Sequence, residues 1–368
     1  MLKTFLERYT FSSNYPEQST RAQPAARSLT VYTTTECRRS RMFPLAGKRC
    51  CTCVSGVIAA CAASASLRKI SFSQDTTESR LVAAIIGAFH ELVPASEIGA
   101  RYNVSGATAA RYFKYVAFKP TQLPEVLSID EFKGNSGGEK YNSIIVDAEK
   151  HKVVDILPNR FENDLIKYFS QFPSKTGVKY FVCDMNPHFR AVSKTCFPGA
   201  AIVADRYHVI RQVYWAMERV RKKEQKKLSA RFRKYFKRSR CLLMKPMAKL
   251  SNEEMERLAL MFEIAPRLAD AYRLKNEFLD VIRAKSSAAG KPKLIDWLRS
   301  AETMGLPEFS DCIKAYRNWF REILNSMDVP WSNGFIEGCN NKTKVLKRVC
   351  FGMRNFHNFR RRILFCHT

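Results

Sequence analysis

The run Leu127-Ser128-Ile129-Asp130-Glu131-Phe132 reads as a buried β-strand that carries a carboxylate near its end. Taking a carboxylate out of water costs free energy unless a cation, a metal ion or several donors face it. Asp130 is therefore the first candidate metal ligand. The run Val178-Lys179-Tyr180-Phe181-Val182-Cys183-Asp184-Met185-Asn186 repeats the arrangement, an apolar strand ending in Asp184. Far downstream, Trp331-Ser332-Asn333-Gly334-Phe335-Ile336-Glu337 opens a helical stretch, capped by Ser332 or Asn333, with Glu337 in its second turn.

Outward from Asp130 the pattern alternates. A glycine-rich loop (Gly134, Gly137, Gly138) precedes strand-like segments at 141–146 and 152–157, joined by the turn Asp147-Ala148-Glu149-Lys150. Residues 163–172 read as an amphipathic helix, 188–195 as another, and 200–205 as a fifth strand. Three antiparallel strands, a helix, then strands alternating with helices is the order of a ribonuclease-H-like α/β domain. In that order the first strand lies beside the strand that follows the first helix, which brings Asp130 and Asp184 together. Asp205 also ends a strand, and its position makes it the rival of Asp184. His208 reads either as an auxiliary residue of the site or as a satisfied surface histidine, with the second favoured. Asp147 and Asp155 are explained by turn chemistry and by a solvated strand position.

Residues 214–320 are largely helical, and a closed α/β core cannot absorb so long a connection without structure of its own. An all-helical insertion is expected there. Within it, Arg231, Arg233, Lys234, Lys237, Arg238 and Arg240 interleave with Phe232, Tyr235 and Phe236, as suits a surface that tracks phosphates. Upstream, Leu81, Ile85, Ala88, Phe89 and Leu92 set a helical period, followed by a short helix at 94–102, the turn Asn103-Val104-Ser105-Gly106 and a helix at 107–116. That is a helix-turn-helix arrangement, with Thr108, Arg111 and Lys114 facing outward for DNA. The chain thus divides into a poorly patterned basic arm (1–67), a helix-turn-helix unit (76–117), the first part of the α/β core (125–213), a helical insertion (214–330) and a last core segment with Glu337 and a basic tail (331–368).

Composition narrows the partners. Of 368 residues, 62 are Lys or Arg against 34 Asp or Glu, a net charge of +28 that points to a polyanion. The longest apolar run, 54–67, falls short of the roughly 18–20 residues that span a bilayer, so no membrane partner is expected and the cytoplasm, with the nucleoid, is the expected location. Cys50 and Cys53 form one C-x-x-C pair without a second, so a structural zinc site is not expected, and the remaining scattered cysteines fit reduced thiols.

Three carboxylates without clustered His or Cys suit hard, oxygen-seeking ions, Mg²⁺ or Mn²⁺. Two such ions about 4 Å apart can activate a water or a 3′-hydroxyl and stabilise the leaving oxygen of a phosphoryl transfer. On the last helix, Glu337, Asn341, Lys344 and Arg348 recur at three and four residues, so a carboxylate and two cations share one face. Beyond it, the segment 352–362 is strongly basic and aromatic, and its Arg354, with Lys344 and Arg348, is expected to contact DNA.

The segments Ser128-Ile129-Asp130-Glu131-Phe132, Cys183-Asp184-Met185-Asn186, Ala204-Asp205-Arg206-Tyr207-His208, Asn333-Gly334-Phe335-Ile336-Glu337-Gly338-Cys339-Asn340-Asn341-Lys342-Thr343-Lys344 and Phe351-Gly352-Met353-Arg354-Asn355-Phe356 resemble, in order, the signature blocks of bacterial insertion-sequence transposases of the ISL3 family. The resemblance covers residues 80–368. It implies an Asp-Asp-Glu triad of Asp130, Asp184 and Glu337 on a ribonuclease-H-like core. It also implies two Mg²⁺ or Mn²⁺ ions, double-stranded DNA with the element's terminal inverted repeats as target, and a homo-oligomer on that DNA. Members of the family usually begin with two cysteine pairs, which residues 1–67 lack, as a frame change or a divergent arm would explain. A catalytically impaired copy acting as a repressor at element ends is the alternative expectation, and a nuclease that only hydrolyses DNA is a further one.

Overall fold

The structure, a computed structural model, describes residues 77–368. The expected basic arm at 1–67, with its cysteine pair and its apolar run, lies outside the described residues.

Five strands form one sheet in the order β3-β2-β1-β4-β5. They are β1 (Val126–Phe132), β2 (Asn142–Asp147), β3 (Lys152–Leu157), β4 (Tyr180–Cys183) and β5 (Ala201–Ala204). β1 runs antiparallel to β2, and β2 to β3, with an irregularity between Ile145 and Val146, whereas β1, β4 and β5 are parallel. The two kinds of connection follow from the chain between the strands. A short turn allows only a hairpin, and a parallel neighbour needs a crossover helix. Those crossovers are α4 (Glu162–Ser170) between β3 and β4, and α5 (Pro187–Cys196) between β4 and β5. Leu165 and Phe169 of α4 are buried, and Phe169 meets Phe197, which in turn meets Phe181 of β4, at ring distances of 5.0 and 5.8 Å. The hairpin aspartate Asp147 caps its turn, accepting from the amides of Glu149 and Lys150.

After β5 the chain is helical from Arg206 to Asp328, through α6 (Arg206–Lys226), α7 (Ala230–Arg238), α8 (Arg240–Met244), α9 (Asn252–Ile264), α10 (Pro266–Ile282), α11 (Ser287–Thr303), α12 (Ser310–Asn318) and α13 (Phe320–Asp328). An aromatic knot of Phe278, Trp297 and Tyr316, with ring distances of 4.9 to 5.5 Å, holds α10, α11 and α12 together. The excursion returns to where it left. Arg206, at its first residue, donates to the carbonyls of Ser326 and Val329 at its last, and the Asn325 amide donates to the Ile202 carbonyl of β5.

The chain then re-enters the core as α14 (Gly334–Val349) and α15 (Phe356–Cys366). Ile336, Cys339 and Leu346 of α14 and Phe359, Ile363 and Leu364 of α15 pack against Phe132, Ile144, Val146 and Ile156 of the sheet. The segment that the sequence presents as a basic tail is thus partly a buried helix. Its arginines face inward: Arg360 pairs with Asp155 of β3, Arg361 donates to the Val116 carbonyl, and Arg362, 2% exposed, donates to the carbonyls of Glu91 and Val93 while its guanidinium covers Phe89. A guanidinium with a long apolar stem can be buried wherever carbonyls meet its fork, which charge counting does not reveal.

Those carbonyls belong to an N-terminal unit of α1 (Thr77–Ala88), α2 (Ala95–Arg101) and α3 (Gly106–Phe113). Val82, Ile85, Ile86, Phe89, Ile98, Ala109 and Phe113 form its core, joined by Phe365 of α15, while Leu81 turns outward at 39% exposure. Ser105 caps α3 by accepting from the Thr108 amide at 3.0 Å. Asn103 enters the turn with φ 55°, a conformation that Asn tolerates better than most residues. At Gly99 a Cβ would lie 2.6 Å from the Val104 carbonyl oxygen, so α2 and the turn touch backbone to backbone. Gly99→Ala is expected to cost about 1–3 kcal/mol by overpacking, read as a lowered urea midpoint; an unchanged midpoint would mean that the contact is slack.

Candidate active site

β1 and β4 are parallel, with Ser128 opposite Val182. Two residues further along lie Asp130, in β1, and Asp184, just past the end of β4, so the parallel pairing carried forward sets them level and on the same side. One carboxylate oxygen from each and a ring nitrogen of His208 all lie within 4.8 Å of one another. The group sits at the carboxyl end of the parallel strands, where open α/β sheets place their ligands.

Burial raises the pKa of Asp130 to about 6, offset in part by the Glu131 amide and His208 and reinforced by Asp184 and Asp205. Asp184 is pushed up to about 6 by burial, against the pull of His208 and with repulsion from Glu131 and Asp205. Asp130 accepts from the Glu131 amide at 2.8 Å and from the Asn340 side-chain amide at 3.3 Å. Asp184 Oδ1, although buried, has no hydrogen-bond partner among the described residues. A pair of half-buried carboxylates with an orphaned oxygen is chemically incomplete and fits a divalent cation.

Asp205 stands between β5 and α6, and His208 lies in the first turn of α6. Asp205 caps α6, accepting from the His208 amide, from His208 Nδ1 at 2.7 Å and from the Asn333 amide at 2.9 Å. Burial would raise its pKa, but those hydrogen bonds outweigh it and hold the carboxyl below its ordinary value. His208 shows the converse: burial lowers its pKa, and Asp205 raises it by more. Of the two rival aspartates, Asp184 shares the group with Asp130, and Asp205 supports His208 from behind. His208 is therefore not the surface histidine that the sequence favoured; its side chain is 16% exposed and turned to the carboxylates. Asp155 likewise departs from expectation. It is 2% exposed, bonded to Arg360 and to the Tyr168 hydroxyl.

Glu337 is exposed in the first turn of α14 and lies outside the group of three. Its helix is nevertheless fixed against β1. Asn333 stands at the N-cap position but does not cap: its side chain accepts from Ser128 Oγ at 2.6 Å and donates to the Ile129 carbonyl at 3.5 Å. Asn340 reaches Asp130 as above. Asn333 and Asn340, four before and three after Glu337, are buried against β1, while Glu337 itself is exposed. Neither asparagine stands out in the sequence as a partner of β1; their seven-residue spacing about Glu337 is the signal that marks them. Asn333→Ala would leave Ser128 Oγ, fully buried, with only a 3.4 Å contact to the Val182 carbonyl. A loss of about 1–3 kcal/mol is expected, measured by urea unfolding; a loss below a few tenths would show that the bridge is incidental.

The remaining candidates lie apart from this group. Arg111 of α3 and Lys114, just past its end, are exposed, while Thr108 is half-buried and bonded to Ser105 and Arg111. Lys344 and Arg348 are exposed on α14, and Arg354 is exposed in the loop before α15. Arg231, Arg233, Lys234, Lys237, Arg238 and Arg240 are all exposed, over a fully buried Phe236. Among the described residues no helix is long and apolar enough to cross a membrane.

Paired strand-end carboxylates shaped for a divalent ion, on a strongly basic chain, define a candidate centre for phosphoryl-transfer chemistry. Comparison with known proteins narrows the class: a transposase family model, of the DDE type and the ISL3 family, matches residues 127–363, and the chain belongs to that family. The transposase for insertion sequence element IS1001 of Bordetella parapertussis is 26% identical over 243 residues, 64% of this chain and 59% of that protein. The transposase for insertion sequence element IS1557 of Mycobacterium tuberculosis is 30% identical over 119 residues, 32% of this chain and 27% of that protein. A Lactococcus lactis protein named as an ATP-dependent protease is 30% identical over 104 residues, 28% of this chain and 32% of that protein. The chain thus spans less than two thirds of the length of these relatives.

Proposed function

We propose that this protein is a DNA transposase that cleaves strands at the ends of an insertion sequence and joins them to a target, using divalent metal ions. The observation that carries the reading is the Asp130–Asp184 pair, brought together at matched register with one buried oxygen left without a partner. The sheet order β3-β2-β1-β4-β5, three antiparallel strands followed by parallel ones, supports a ribonuclease-H-like core with the helices from Arg206 to Asp328 as its insertion. Asp130 and Asp184 would hold the metal, Mg²⁺ or Mn²⁺, with Glu337 supplying the third carboxylate from α14, the helix that Asn333 and Asn340 tie to β1. Divalent ions bound there supply charge neutralisation at the scissile phosphate and a lowered pKa for the attacking water or 3′-hydroxyl. Lys344 and Arg348 continue the exposed face of Glu337 and suit the phosphates flanking the cut. α2, the turn and α3 suit the helix-turn-helix role, with Arg111 and Lys114 toward double-stranded DNA of the terminal repeats and a homo-oligomer holding the two ends. The assembled carboxylate pair argues against a copy that only occupies DNA.

The test is cleavage of a labelled duplex carrying the DNA that flanks the coding sequence, with Mg²⁺ or Mn²⁺, comparing wild type with Glu337→Ala. Metal-dependent nicking at the element's end, lost in the variant, is expected. Nicking that persists in Glu337→Ala removes that residue, and binding without nicking overturns the enzymatic reading. Affinity for the same duplex should fall steeply with salt, because lysine and arginine contacts to phosphate release counterions; a flat response would contradict a phosphate-tracking surface.

A further inference from the structure

α6 starts at the candidate centre, with Asp205 as its cap and His208 in its first turn. Beside His208 a second column of side chains runs up the same helix. Tyr207, Arg211 and Trp215 recur at steps of four and stack on one face. Both rings are open to solvent, Tyr207 at 53% and Trp215 at 46% exposure. The Arg211 guanidinium carbon lies 5.4 Å from the Tyr207 ring centroid and 4.5 Å from that of Trp215, so the cation is sandwiched along the column. Arg211 Nε is buried and has no hydrogen-bond partner among the described residues.

Single exposed aromatics are ordinary on protein surfaces. A ladder of ring, guanidinium and ring is not, and its cation–π contacts hold the three groups as one rigid platform. Such a platform offers π faces and a positive charge but few directional hydrogen-bond donors. It therefore matches the face of a base and its adjoining phosphate whatever the base is. Bases inside a duplex have no free face, so only unpaired nucleotides can use it. The platform adjoins His208 in sequence, and exposed cations of α7, the next helix along the chain, continue the positive charge.

We propose that the Tyr207–Arg211–Trp215 face of α6 binds unpaired nucleotides of the DNA strand next to the scissile phosphate, stacking their bases on the two rings. This rests on Asp130 and Asp184 being the cleavage centre. Strand opening at the element's end would then be stabilised by the protein itself, and the platform would hold the freed strand beside the carboxylates.

Trp215 makes the test direct. Trp297 and Trp319 are each 2% exposed and Trp331 is half-buried, so Trp215 is the tryptophan that a stacked base would quench. Tryptophan emission and affinity would be measured in EDTA with a blunt duplex of the element's end and with the same duplex carrying an unpaired oligothymidine tail. The tailed DNA is expected to bind about tenfold more tightly, the lower range for one stacked base, and to quench emission that Trp215→Phe no longer shows. Tyr207→Ala combined with Trp215→Ala should bring the tailed-to-blunt ratio near one. Equal affinity for tailed and blunt DNA in the wild type, or an unaltered ratio in the double variant, overturns the inference. The parent reading fails separately: wild type that shows the tail preference but never nicks with metal leaves the platform standing without the enzyme, and wild type that nicks without a tail preference does the reverse. A platform that instead serves a protein partner would show neither quenching nor tail preference.

Discussion

Asp184→Asn is expected to lower metal-dependent strand cleavage by roughly 10³-fold or more, because it removes a charged metal ligand, and at the same time to raise the melting temperature of the metal-free protein. The second effect follows from the cost of the site. Burial pushes both Asp130 and Asp184 up to about 6, so the folded protein binds protons at these groups more tightly than the unfolded chain does. Linkage fixes the sign: between the unfolded carboxylate range near 4 and the folded value near 6, the native state holds more protons, and stability falls as pH rises. Above that window the two charges remain in the fold, only partly compensated by His208 and nearby amides. An amide at Asp184 removes one of them, and a bound divalent ion compensates both. Thermal melts at neutral pH in EDTA should therefore place Asp184→Asn a few degrees above wild type, with added Mn²⁺ raising the wild type and leaving the variant nearly unmoved. A variant that melts lower in EDTA would mean that the Asp184 charge is already satisfied within the protein.

Asp155→Ala is expected to cost about 3 kcal/mol or more, the largest stability loss among the substitutions considered, since breaking a buried pair leaves its partner uncompensated. Asp155 accepts from the Arg360 guanidinium, from the Tyr168 hydroxyl at 3.0 Å and from the Ile156 amide at 2.7 Å. Its side chain is 3% exposed and that of Arg360 is 21% exposed. Burial, and then the Asp155 charge, keep the Tyr168 hydroxyl well above its usual pKa, so the phenol stays a donor. Arg360 also donates to the Phe118 carbonyl just before the sheet, so one side chain ties α15, β3 and the linker from the N-terminal helices. Urea unfolding would measure the loss. Asp155→Leu combined with Arg360→Met should recover most of it, because an apolar pair of similar volume avoids the burial of charge; a double variant as unstable as Asp155→Ala would locate the cost in packing instead.

The strands were legible because their apolar runs have sharp ends, and Asp130 and Asp184 stood out for the same reason: a carboxylate closing a buried run has few explanations. Matched register in a parallel pair then turned sequence position into spatial proximity. What stayed hidden depends on partners far away in the chain. Asp155 reads as a solvated strand residue until Arg360, 205 positions later, is placed against it. Arg360 to Arg362 read as part of a basic tail because nothing local reveals the carbonyls of Val116, Glu91 and Val93 that receive Arg361 and Arg362. His208 reads as a surface histidine because the carboxylate that turns it inward, Asp205, was itself weighed as a rival ligand. Ser332 or Asn333 reads as the helix cap, a common use of both residue types, but Ser128 and Ile129 of β1 outcompete the helix for the Asn333 side chain.

Asp130 and Asp184 are expected to bind the divalent ion together. The most direct measurement is Mn²⁺ binding, followed by the loss of the free-ion electron paramagnetic resonance signal, for wild type, Asp130→Asn and Asp184→Asn, each with and without duplex DNA of the element's end. The account predicts that wild type depletes free Mn²⁺, more strongly with DNA, and that either substitution abolishes the depletion. Equal depletion by all three proteins would contradict it and place the metal, and with it the chemistry, elsewhere in the chain.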